Sequence, residues 1–170
     1  MGILRVSGSF NFEKKIKNFC QPPRYELNKL ENGLAFVVVH PDAPEEIDEH
    51  VLVIRDIDDI VQFSMPSHII VSTGQRIPHH LSSALLQLNS ESLMGFWSLE
   101  GISTKDIAFI FSYSNNVSKT LLNKYLFDEV VIDMLESCSE LYQLIEEIEQ
   151  ADRDNENEPT SPGEDSEHQQ

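Results

Sequence analysis

"LLQLNSESLMGFWSLEG", residues 85–101, is the stretch on which the reading of the fold turns. Its first half completes an apolar stripe. Ile77, Leu81, Ala84, Leu85 and Leu88 recur at the spacing of one helix face. Its second half, from Leu93 to Gly101, is rich in aromatic and large apolar residues and reads as a strand. A polar step, Asn89 to Ser92, separates the two. Asparagine tolerates the left-handed backbone that closes many helices, so Asn89 is expected to stop the helix. That helix is expected to begin around Gln75 to Pro78, because proline suits a first helical turn.

Downstream of this junction, "KDIAFIFSYS" (105–114) follows the first strand after "GIST" (101–104), so the pair reads as an antiparallel hairpin. Gly95 inside the first strand implies a bulge or a close neighbour. Phe96 and Trp97 are both expected to be packed, since large aromatics dominate cores. Asn115-Asn116 reads as a turn and Ser118 as the start of a last helix. Val131, Leu135, Cys138, Tyr142 and Ile145 then trace an amphipathic face running to about Gln150.

Upstream, Phe12, Ile16 and Phe19 mark a short helix between Ser9 and Cys20, capped by Asn11 or Ser9 and ended by "QPP" at 21–23. Asn32-Gly33 is a strong turn signal before the β-prone run Ala35 to Val39. "PDAPEEID" (41–48) is an acidic loop. "HVLVIRDIDDIVQFS" (50–64) reads as two short strands meeting near Asp58-Asp59, and "HIIVS" (68–72) is a further β-prone piece. The expected class is α+β, with an antiparallel sheet of about five strands, helices packed on it, and the order α-β-β-β-α-β-β-α.

The 170 residues are 40% hydrophobic, enough for one domain with a substantial core. Residues 9–150 are read as that domain, 1–8 as a flexible N-terminus, and 151–170, which hold seven acids and no large apolar residue, as a disordered acidic tail. A net charge of −17 repels phosphate backbones and anionic lipid, so neither nucleic acid nor membrane is an expected partner. No long apolar run suggests a signal or a membrane span, and the expected location is the cytoplasm. Cys20 and Cys138 are too few for a disulfide framework.

The motifs that carry chemistry are weak. "HPDAPEEIDEH" (40–50) gathers His40, Asp42, Glu45, Glu46, Asp48, Glu49 and His50, but at neither calcium-loop nor His-Glu-x-x-His spacing. His79 and His80 are adjacent in a helix and diverge in direction. No serine sits in a nucleophile elbow, and there is no phosphate-binding glycine loop. The chain is therefore read as a non-enzyme without cofactor or metal. The strand Leu34 to Val39, with Leu34, Phe36 and Val38, is read as an apolar sheet edge that offers its backbone to an extended partner.

The apolar helix ending in Leu88-Asn89, followed by a strand with Gly95 and Phe96, resembles the YbjN family. The element order resembles the type III secretion chaperone fold that YbjN-like domains share. At motif level the resemblance covers residues 80–150; over 10–80 it rests on element order. It implies that Asn89 and Gly95 are structural, and that the protein is a chaperone-like or regulatory adaptor binding a protein or peptide client. Type III chaperones are usually dimers and pair through the corresponding helix, which makes Leu81, Leu85 and Leu88 partner-binding candidates by resemblance. Two other readings stay open: a small-molecule or metal-binding regulator, and an uncharacterised enzyme.

Overall fold

The structure is a computed structural model, and it describes residues 10–40, 49–72, 77, 79–101 and 108–156. It is an α+β domain. One six-stranded antiparallel sheet carries three helices, in the order α1 (Phe12–Phe19), β1 (Tyr25–Glu31), β2 (Leu34–Val39), β3 (His50–Ile57), β4 (Ile60–Ser72), α2 (His79–Glu91), β5 (Gly95–Gly101), β6 (Ala108–Ser118) and α3 (Lys124–Glu156). Across the sheet the strands lie β1-β2-β3-β4-β6-β5.

The antiparallel registers place Tyr25, Ala35, Val37, Val39, Leu52, Ile54, Val61, Phe63, Trp97, Phe111 and Tyr113 on one face. All are buried, and they form a single cluster with residues of all three helices. The helices therefore cover one face of the sheet and leave the other without a helix. α1 contributes Phe12, Ile16 and Phe19, and its first turn is fixed by Asn11, whose Oδ1 accepts from the Lys14 N–H at 2.8 Å. α3 contributes Phe127, Val130, Val131, Met134, Cys138 and Leu141. Phe127 is in ring contact with Phe19, Tyr25 and Phe63, which ties α3 to α1 and to the sheet.

Both hairpin turns of the first four strands follow their residues. Asn32 and Gly33 both take positive φ, 50° and 73°, as a tight two-residue turn between Glu31 and Leu34 requires. Asp58 does the same at φ 40° between β3 and β4.

Several expectations are corrected. The sheet has six strands, because Tyr25–Glu31, "YELNKLE", pairs with β2. The two β-prone pieces at 60–64 and 68–72 are one long strand, β4, whose register shifts between Pro66 and Ile70. The irregularity absorbs a proline that cannot donate to the ladder. Leu34–Val39 is not an edge, since β2 is paired on both sides by β1 and β3; the edges are β1 and β5. Asn115 and Asn116 lie within β6 and form no turn, and α3 starts at Lys124, where Asn123 Oδ1 accepts from the Leu126 N–H at 3.0 Å. α3 runs on to Glu156. Asn89 does not stop its helix in a left-handed conformation: α2 continues to Glu91, and only Asn32 and Asp58 among the described non-glycine residues have positive φ. Phe96 and Trp97 are not both packed. They alternate, with Trp97 6% and Phe96 41% exposed.

Candidate functional site

Half of the exposed large apolar residues fall on one unit. Among the described residues there are ten such side chains, and Leu86, Leu93, Met94, Phe96 and Leu99 all belong to α2, β5 or the step between them. Leu93 is fully exposed and Leu86 is 70% exposed. Leu86 lies off the stripe that turns Leu81 and Leu85 into the core, so it projects from the helix instead of packing under it. Beside it lies a groove of about 280 Å³ lined by Ile77, Ser82, Leu85, Leu86, Asn89, Trp97, Ser98, Leu99 and Phe111. Its lining carries hydroxyls and one amide but no acid, base or thiol.

The same stretch is nearly free of charge. Residues 79–101 contain no Lys or Arg and only two acids, Glu91 and Glu100, in a chain that holds 12 basic and 29 acidic residues. The cores of protein interfaces are depleted of charge in the same way.

Asn89 and Gly95 explain the shape of the junction. The Trp97 N–H donates to Asn89 Oδ1 at 2.5 Å, and Asn89 Nδ2 donates back to the Trp97 carbonyl at 3.1 Å. The Gly95 N–H donates to Ser92 Oγ at 3.1 Å, and Ser92 Oγ lies 2.8 Å from the Tyr113 hydroxyl. A Cβ on Gly95 would stand 2.5 Å from the Tyr113 ring, so only glycine leaves room for this ring against β5. The Tyr113 and Trp97 rings pack 5.3 Å apart, which joins the groove floor to the core.

Tyr113 also reaches a partly buried polar cluster under α3. Burial pushes the Asp133 carboxyl above its ordinary range, while the nearby Tyr113 hydroxyl and Asn115 amide pull the other way. Burial likewise raises the Tyr113 phenol. Both cysteines are buried, and burial pushes the Cys20 and Cys138 thiols up to about 12, which disfavours the thiolate.

The helix-free face of the sheet divides in two. At one corner Leu34, Phe36 and Val38 are half-buried beside Val51 and Val53. Further across, Arg55 reaches Gln62 at 3.3 Å and Glu100 at 3.9 Å, while Ser64 donates to Glu100 at 3.0 Å.

The sequence-derived site residues are thus not brought together. Leu34, Phe36 and Val38 face away from the helices. Leu81 and Leu85 are buried in the core and Leu88 packs against it. Of the six, only Leu85 borders the groove. In the acidic stretch, Asp42, Glu45, Glu46 and Asp48 lie outside the described residues. His40 sits 3.6 Å from Glu26 and 3.5 Å from Glu49. Among the described residues no cluster of three or more His, Cys, Asp or Glu side chains is placed to hold a metal. His79 is exposed, and its Nδ1 lies 3.4 Å from Ser83 Oγ; the His80 side chain lies outside the described residues. Sequence reasoning missed Leu86, Met94 and Leu99. The window nearly free of charge that holds them was the available signal. Among the described residues no helix is long and apolar enough to cross a membrane.

No family model, curated protein or solved structure matches the chain.

Proposed function

We propose that the protein is a non-enzymatic protein-binding module that seats an uncharged, apolar segment of a partner protein in the groove between α2 and β5. The observation that carries this reading is the concentration of exposed apolar side chains on a unit almost free of charge, within a chain of net charge −17. A partner segment bearing charge would gain nothing in the groove and would lose hydration there. The groove volume lies just below the range common for small-molecule sites, and its sides continue onto the exposed Leu86 and Leu99 side chains. Both features favour a protein segment over a small ligand.

The resemblance to YbjN-like and type III secretion chaperone-like domains supports an adaptor or chaperone-like role in the cytoplasm. The contact site differs from the one first expected. β2 has both edges paired, so side-chain recognition in the groove replaces strand addition at Leu34–Val39.

The test is co-purification of the tagged full chain from its native cells, beside the Leu86→Glu variant. Leu86 is too exposed for this change to unfold the domain. The expected result is a stoichiometric partner held by the wild type and lost from the variant. A partner retained equally by both rejects the groove, and a wild type that is stabilised by metabolites while recovering no protein rejects protein binding.

A further inference from the structure

The two edge strands of the sheet face the same hazard, because each presents unpaired N–H and C=O groups to any passing strand. They meet it differently. β1 is polar: Glu26, Lys29 and Glu31 punctuate it, and its register slips between Leu27 and Lys29. Charge and irregularity of this kind discourage pairing. β5 has neither. It carries one charged residue, Glu100, pairs with β6 in unbroken register, and shows Phe96 and Leu99 each at about 40% exposure.

What β5 has instead is Asn89. In an antiparallel strand the backbone groups point alternately to either side. Those of Trp97 are taken by Asn89 and the Gly95 N–H by Ser92, so the odd-numbered residues of β5 face away from β6. The Asn89 amide, one donor and one acceptor on a single plane, fills both positions of Trp97 that an incoming strand would use. Asn89 lies on the last turn of α2, within hydrogen-bond reach of the edge of the strand that follows.

We propose that Asn89 is a lock on the β5 edge. It occupies the backbone groups of Trp97, and without it β5 pairs antiparallel with β5 of a second copy of the chain. The second copy is the fitting occupant because twofold antiparallel pairing sets the β5 edge, with Phe96 exposed on one face and Leu99 on the other, against an identical edge. The edge carries a single charged residue, Glu100, so little like-charge repulsion acts at the contact itself between molecules of charge −17. The lock rests on the Asn89 geometry and not on what fills the groove, so either reading can fail while the other stands.

The experiment uses the full chain with Asn89→Ala, examined by sedimentation at rising concentration and by amide hydrogen exchange. The expected result is that the variant assembles further than the wild type at equal concentration. Its Trp97 amide, measured dilute, should exchange at least about tenfold faster. A folded variant with wild-type sedimentation at every concentration overturns the proposal. Should Asn89→Ala fail to fold, exchange in the wild type decides. The lock requires the Trp97 amide to be clearly slower than that of Leu99, and equal rates overturn it.

Discussion

Gly95 has no side chain because the Tyr113 ring stands where one would go. The clash involves the stiff aromatic ring and cannot be relieved by a small shift of a flexible tip. Gly95→Ala should therefore cost about 1–3 kcal/mol, the usual range for overpacking, as read from denaturant unfolding. Tyr113→Leu should recover part of that loss in the double variant; additive losses would mean that the two residues do not interact. Asp133 sits next to the same tyrosine and makes the domain sensitive to pH. Burial raises its folded pKa above the ordinary carboxylate value of 3.8, so between the two values the folded chain holds a proton that the unfolded chain releases. Its effect on stability is absent below the ordinary value and turns unfavourable as pH rises through the folded pKa. Asp133→Asn should thus raise Tm at neutral pH and lose that advantage in acid. A gain that persists unchanged in acid contradicts burial as the cause.

At the level of elements, α2 has two faces with opposite roles. Leu81→Ala should cost about 2–5 kcal/mol, as core truncations do, whereas Leu86→Ala should stay within about 0.5 kcal/mol of wild type. Thermal or chemical unfolding of the two variants checks this directly. The stripe that separates the faces was legible in the sequence, as were α1, with Asn11 one of its two cap candidates, and the Asn32-Gly33 turn. β1 was not. "YELNKLE" is too polar and too irregular to show strand alternation, because an edge strand with a bulge faces water on most sides. Asn89 illustrates a different limit. The sequence marked it as a polar break, but its work is done by a hydrogen bond to a residue eight positions away. That bond exists only once α2 has folded back over β5. Gly95 was readable as a close approach, although the approaching group, Tyr113, was not. The candidate site was the least legible part. Edge position depends on strand order, and strand order is set by long-range pairing that local pattern does not record.

Across the whole molecule, the helices bury one face of the sheet and leave two apolar surfaces. One is the corner of Leu34, Phe36 and Val38 on the helix-free face. The other is the α2–β5 unit. The corner residues are half-buried by their neighbours, whereas Leu86, Leu93, Met94, Phe96 and Leu99 stand out in a nearly uncharged window. That contrast locates the proposed partner on α2 and β5. Hydrogen exchange of the co-purified complex, compared with the free protein, tests this location most directly. Slowed exchange is expected to concentrate in His79–Glu91 and Gly95–Gly101, with Leu34–Val39 unchanged. Slowed exchange centred on Leu34–Val39 and its neighbours β1 and β3, with α2 and β5 untouched, would contradict it.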